Sequence, residues 1–432
     1  MFHLLEQGNG LERMHALAKI IARHAGRSSV EAREIVNVTP DYMMLNDRGA
    51  ARAAARFHEM GGEQVAEPDR VVVVFDHHYP AIRDQDAASQ KQTRAWIKQQ
   101  GITRFHAGDG IGHVIFPEMG YAFPGALIFG TDSHTTTNGA LGCFATGLGH
   151  ADVGSFLALG YNWLRVPDVV RFDIRGELAP WVSAKDITLA ILQRYGEDAT
   201  VYQGVEFAGL VVRSMSMDER LVLSNMVIEF GGKSGYITPD ETTFRYLDGR
   251  VARDRWTVDT TDSASDYAKV YEIDASDIEP LIAVPHDLSA VKNARDVGSV
   301  RLDEAILGTC TGGRIEDFRI VASVLKGRKI AAHTRMMVNP GSRAVYRQAV
   351  REGLIETLID AGAVIGVTGC GPCSGCHQGM LAAAENAITT SSRNFKGRSG
   401  SPESNLYVAS PATVAASAVA GYIVPPSDVV RA

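Results

Sequence analysis

Several short apolar runs in this chain end in the residue types that do chemistry, and that layout limits the fold more than any other feature. Residues 71–75 read V-V-V-V-F and are followed by Asp76, His77 and His78. Residues 126–129 lead into G-T-D-S-H-T, 305–307 into G-T-C-T-G-G-R, 363–367 into T-G-C-G-P-C, and 329–332 into His333, Thr334 and Arg335. Unbroken apolar runs of about four to five residues fit strands buried on both faces. Between them lie helical patterns. Residues 344–360 put Val345, Val350, Leu354, Ile355 and Leu358 on one side, with Gly362 as a stop. Strands alternating with helices predict an α/β protein with largely parallel sheets. Ligands of such sheets bind beyond the carboxyl ends of the strands, where the His, Asp, Cys and Arg residues fall here.

A chain of 432 residues exceeds one ordinary core. It divides into residues 14–173, 174–286 and 287–432, with the Asp- and Pro-containing stretch 274–293 read as a connection. The net charge of −7 argues against a general nucleic-acid binder. The least polar segment, 412–424, is short and interrupted by Ser417 and Gly421, so no membrane span is expected. Residues 1–13 lack the basic start and apolar core of a secretion signal. Five cysteines, an odd number in a long chain, do not make a disulfide framework and point to a reducing cytoplasm.

Four of those cysteines lie in two glycine-rich loops: Cys310 in G-T-C-T-G-G-R, and Cys370, Cys373 and Cys376 in C-G-P-C-S-G-C. C-x2-C spacing lets two thiolates reach one metal centre, and the glycines leave room for a cluster against the backbone. An iron–sulfur site using Cys310 and two or three of the run is the leading expectation. A structural zinc site and a set of ordinary buried thiols are the alternatives. Cys143, among small and apolar neighbours, reads as a core thiol.

Asp76-His77 and Asp132-Ser133-His134 each set a carboxylate beside an imidazole at a strand end, an arrangement that fixes the tautomer and raises basicity. His113 lies five residues before Glu118, while His78, His106 and His150 read as structural. Arg393 and Arg398 share the loop S-S-R-N-F-K-G-R, and Arg314 and Arg335 follow a cysteine loop and a strand end. Converging guanidinium forks suit a di- or tricarboxylate.

Taken together, D-H-H-Y-P-A, G-I-G-H-V-I-F-P-E, G-T-D-S-H-T-T-T-N-G-A-L-G, L-S-N-M-V-I-E-F-G-G, G-T-C-T-G-G-R-I-E-D, G-C-G-P-C and S-R-N-F-K-G-R-S-G-S resemble the aconitase superfamily, in particular its isopropylmalate dehydratase branch. The motifs run in family order from about Met14 to the end of the chain. The resemblance implies a three-domain α/β/α architecture without the swivelling fourth domain. It implies a [4Fe-4S] cluster on Cys310, Cys370 and Cys373, with Cys376 a non-ligand. It also implies dehydration and rehydration of a hydroxy-dicarboxylate, foremost 2-isopropylmalate to 3-isopropylmalate in leucine biosynthesis. Homoaconitate, citramalate and 2,3-dimethylmalate are the alternatives, and an RNA-binding or zinc-scaffold role is a different class. By the same resemblance His77, paired with Asp76, protonates the leaving hydroxyl. His113 with Glu229, and His134 with Asp132, complete the polar cage. Asn225 and Glu229 share a helix face, Arg393 and Arg398 hold substrate carboxylate, and a separate small subunit supplies the base. The chain departs from the family pattern at Gly312 and Ser392, where Asn is usual, and after the histidine of D-H-H-Y-P-A.

Overall fold

The structure, a computed structural model, describes residues 14–430 except Cys376. The expectations for residues 1–13 and for Cys376 lie outside the described residues. Strands β1 (Ile35–Val38) and β7 (Asn162–Arg165) form a small antiparallel ribbon. The first large sheet is built from β2 (Tyr42–Asn46), β3 (Val71–Phe75), β4 (Arg104–Ala107), β5 (Leu127–Gly130) and β6 (Phe144–Gly147). It is parallel throughout, in the order β4-β3-β2-β5-β6. The apolar run of β3 is buried on both faces. Val72 and Val74 join a core shared with the second sheet, while Val71, Val73 and Phe75 join a core with flanking helices. That two-sided burial is why its sequence shows no polar alternation.

The second sheet, order β10-β9-β8-β11, is also parallel and uses β8 (Val169–Arg175), β9 (Gly204–Ala208), β10 (Ser234–Tyr236) and β11 (Lys269–Asp274). The third has seven strands: β12 (Leu281–Ala283), β13 (Val291–Asn293), β14 (Glu304–Leu307), β15 (Arg335–Val338), β16 (Val364–Ile365), β17 (Asn386–Thr389) and β18 (Asn405–Ala409). Its order is β13-β12-β18-β17-β14-β15-β16, with only the β12 pairings antiparallel. The expected α/β class with largely parallel sheets is what the chain adopts.

The details differ in four places. Residues 329–332 are not a strand; the pairing segment is β15, whose Met336 and Val338 face the core. Residues 344–360 form two helices, Arg343–Arg351 and Leu354–Ala361, because Gly353 takes a left-handed φ of 72° between them. The stretch 274–293, expected as a connection, contributes β12 and β13 to the third sheet. Strand β8 runs across the division expected at 173/174.

Both the first and third sheets have a switch point. In the first, the chain moves outward from β2 through β3 to β4, then resumes on the other side at β5. In the third it moves from β14 through β15 to β16, then resumes at β17. Loops leaving adjacent strands in opposite directions open a crevice at the carboxyl edge. Asp76 and Asp132 leave the first crevice, from β3 and β5. Cys310 and Arg393 leave the second, from β14 and β17.

Candidate active site

The two crevices line one cleft of about 270 Å³, which holds His77, His113, Asp132, Ser133, His134, Cys310, Cys370, Cys373, Arg393 and Arg398 on its walls. On the first-sheet side, Asp76 and Asp132 organise the imidazoles. Asp76 Oδ1 lies 2.7 Å from His77 Nδ1, and its other oxygen accepts from the Gly112 N–H at 2.8 Å. Burial disfavours charge on His77, but Cys370 as thiolate and the Asp76 carboxylate outweigh it and hold the imidazole well above its usual pKa. Asp132 Oδ1 stands 3.1 Å from His113 Nε2 and accepts from the His134 N–H at 2.9 Å. Its Oδ2 is 3.5 Å from His77 Nε2. Burial works against this carboxylate too, yet His113, His134 and His77 around it keep its pKa well below the usual range.

The second sheet contributes through its β9-to-β10 connection. The helix Met217–Asn225 ends at Asn225, and a 3₁₀ turn, Met226–Phe230, follows. The expected single helix face is therefore broken at Asn225. Its amide donates to Thr137 Oγ1 at 2.7 Å, and its side chain also bonds Cys310. Glu229 binds His134 Nε2 through Oε1 at 2.6 Å, and its Oε2 accepts from Arg393 Nε at 2.9 Å. Burial opposes ionisation of Glu229, but His134 and Arg393 keep its pKa low. The expected partners are thus exchanged: His113 meets Asp132, while His134, which also touches Asp132, takes Glu229. The 3₁₀ turn swings Glu229 toward His134 rather than His113.

Cys310, Cys370 and Cys373 are buried free thiols that cluster with Ile111 and Val114. Burial raises the Cys310 thiol to about 12, with Cys373 adding to the shift, and Cys370 is also raised. Thiols this reluctant to ionise hold metal only when the metal displaces their protons. Neighbouring donors favour thiolates there: Arg398 Nη2 donates to Cys373 Sγ at 3.2 Å, and Asn225 bonds Cys310. Three soft ligands from two loops, with donors behind them, fit a cluster that all three thiols share. Cys143 is a core thiol, as its neighbours suggested, donating to the Phe123 carbonyl.

Two of the expected arginines do not reach this cleft. Arg335 begins β15, at the amino edge of the sheet, and pairs with Glu304 and Glu385. Arg314 is buried, donating to the His113 carbonyl at 3.0 Å, so it positions His113 from behind. Conversely, Asn46, Arg48, Arg52 and His150 line the cleft unforeseen. Asn46 ends β2 and donates to Asp132 at 3.3 Å. Reading Y-M-M-L-N as a buried strand would have exposed Asn46 as a strand-end residue. Lys185 was also missed. It is buried below the site and donates to the Thr390 and Ser391 carbonyls, both at 3.0 Å, fixing the segment that leads to Arg393.

The sequence profile of the aconitase family (aconitate hydratase) matches residues 18–294 and 286–421. The chain belongs to the aconitase family. It is 44% identical over 418 residues to the 3-isopropylmalate dehydratase large subunit of Halothermothrix orenii, covering 96% of this chain and 99% of that one. The large subunit of the same name from Aquifex aeolicus is also 44% identical, over 96% of this chain and 97% of its own length. A solved aconitase X from Thermococcus kodakaraensis shares the fold, with a TM-score of 0.51 at 13% identity, over 85% of this chain and 87% of that one. Among the described residues, no helix is long and apolar enough to cross a membrane.

Proposed function

We propose that this aconitase-family chain is the iron–sulfur subunit of a hydro-lyase that moves the hydroxyl of a 2-hydroxy diacid to the neighbouring carbon. The observation that carries the reading is the gathering in one cleft of Cys310, Cys370 and Cys373 with His77, which Asp76 holds, and with the Asp132–His113–His134 group. 2-Isopropylmalate is the favoured substrate, because the curated relatives carry that activity in their names over nearly their whole length. Their description as large subunits supports a separate small subunit as partner, and a cytoplasmic biosynthetic setting goes with both.

A [4Fe-4S] cluster on Cys310, Cys370 and Cys373 would supply a Lewis-acidic iron for the substrate hydroxyl and carboxylate. The chain's own groups do the rest. Arg393 and Arg398 bind substrate carboxylate by guanidinium forks. Asp76 fixes the His77 ring and keeps it protonated, so His77 delivers the proton that lets the hydroxyl leave as water. Asp132 stays anionic and orients His113 and His134. Glu229 holds both His134 and Arg393, coupling the proton-handling groups to the carboxylate-binding ones. Ser133 Oγ accepts from Arg393 Nη2 at 3.2 Å and steadies the same guanidinium.

The test is direct. The full chain, reconstituted anaerobically with iron and sulfide, is combined with candidate small subunits and assayed on a panel of 2-hydroxy diacids. Dehydration of 2-isopropylmalate by the assembled enzyme is the expected result. No dehydration of any member, despite a full complement of iron and sulfide, overturns the reading. Zinc in place of iron and sulfide would instead favour a mononuclear site, for which the ligand atoms of Asp76, His77 and Cys370 lie within 4.8 Å of one another.

A further inference from the structure

The carboxylate-binding arginines of the proposed reaction are already partly engaged. Arg393 serves Glu229 and Ser133, and Arg398 serves Cys373. Two more guanidiniums that the sequence motifs do not cover line the same cleft. Arg48 and Arg52 lie one turn apart on the helix Asp47–Glu59, so they share a face. Both line the cleft, and both also line an adjoining hollow of about 390 Å³, so they stand where the two spaces meet. Arg52 forms no ion pair or hydrogen bond with any described residue. Among its described lining residues the cleft has no aliphatic or aromatic hydrocarbon side chain. The charged and polar side chains on its walls suit an anion.

We infer that Arg48 and Arg52 form a second anion-binding wall of the cleft, one that reads a carboxylate on the end of the ligand remote from Arg393 and Arg398. A planar guanidinium without a counter-ion, beside a second one and facing a polar cleft, is suited to a carboxylate and poorly suited to hydrocarbon. The chain then selects hydroxy acids by the spacing of their anionic groups. The inference rests on the reading above for the class of ligand. It does not need turnover.

Binding to the full chain is measured by calorimetry with succinate and with butyrate as probes. Succinate, with a carboxylate at each end, is expected to bind more tightly than butyrate. Arg52→Gln should erase about 10- to 100-fold of that preference, the worth of one charged hydrogen-bonded contact. Arg56→Gln removes a charge from the next turn of the same helix, outside the cleft, and should leave the preference intact. Equal affinity for the two acids, an unchanged preference in Arg52→Gln, or an equal loss in Arg56→Gln each overturns the inference, the last by showing a diffuse field instead of contact. If the Arg52-dependent preference is present but no diacid is dehydrated by the assembled enzyme, the catalytic reading falls and the anion wall stands. Arg52 is exposed, so thermal unfolding of the variant is expected to match the parent.

Discussion

His134 Nε2 lies 2.6 Å from Glu229 Oε1, across 95 residues of sequence and between two different sheets. The same carboxylate accepts from Arg393 Nε, which lies 2.7 Å from Oε1 and 2.9 Å from Oε2. One side chain of the second sheet therefore ties a first-sheet histidine to a third-sheet arginine.

Glu229→Gln keeps the volume but loses the charge that both partners need. Loss of about 10²- to 10⁴-fold in kcat/KM is expected in the assembled enzyme, the range for a disturbed acid–base arrangement. His134→Ala combined with Glu229→Gln should cost little more than either change alone, since the pair acts as a unit. Steady-state kinetics on the three variants decide it, and fully additive losses would separate the two residues.

Each of Cys310→Ser, Cys370→Ser and Cys373→Ser should abolish or severely deplete bound iron and acid-labile sulfide after anaerobic reconstitution. Cys376→Ser should retain both. Metal analysis and the broad visible absorption of iron–sulfide charge transfer provide the readout. Loss of the cluster in Cys376→Ser with retention in Cys310→Ser would reverse the assignment.

Gly312, where the resemblance leads one to expect Asn, has no room for a side chain. A Cβ there would fall 2.1 Å from Thr390 Oγ1 and 2.3 Å from Thr390 Cβ. Thr390 is itself fixed, accepting from the Gly308 N–H at 3.1 Å and donating to the Gly308 carbonyl at 3.0 Å. Gly312→Ala should destabilise the chain by about 1–3 kcal/mol through overpacking. Glycine at 390 removes both Thr390 atoms and leaves only the 2.9 Å approach to the Gly308 carbonyl, so Thr390→Gly in the same chain should cost less than the sum of the single changes. Denaturant unfolding of the four proteins in the cycle tests this.

Glu304 is buried at the amino end of β14 and pairs with Arg335 Nη2 at 2.8 Å. Burial lifts its pKa from 4.5 to about 7, with Arg335 only partly offsetting the rise. Between those values the folded chain holds a proton that the unfolded chain has released. This group's contribution to stability is therefore complete below about pH 4.5 and lost as pH rises to about 7, a swing of up to about 3 kcal/mol. Glu304→Gln should remove that component, so the stability difference between variant and parent should widen in the variant's favour from pH 5 to 7. A difference that stays flat with pH would show that Arg335 holds the carboxylate ionised throughout.

Local sequence order is enough for the α/β class, the parallel sheets and the loops in which the chemistry lies. Apolar runs like V-V-V-V-F specify two-faced burial, and whatever follows such a strand must occupy its carboxyl edge. That is why Asp76, His77, Asp132, His134, Cys310, Cys370 and Arg393 were legible from local order alone. Tertiary structure decided who meets whom. The exchange of partners between His113 and His134 depends on a 3₁₀ turn after Asn225 and on how the three sheets pack. Gly353 divides one periodic helix in two, since periodicity reports a buried face and not an unbroken axis. Arg335 and Arg393 look alike in sequence, but β15 begins at the first, which falls at the sheet's far edge, and β17 ends shortly before the second. Lys185, Arg48 and Arg52 carried no motif, because their surroundings are assembled from segments distant along the chain.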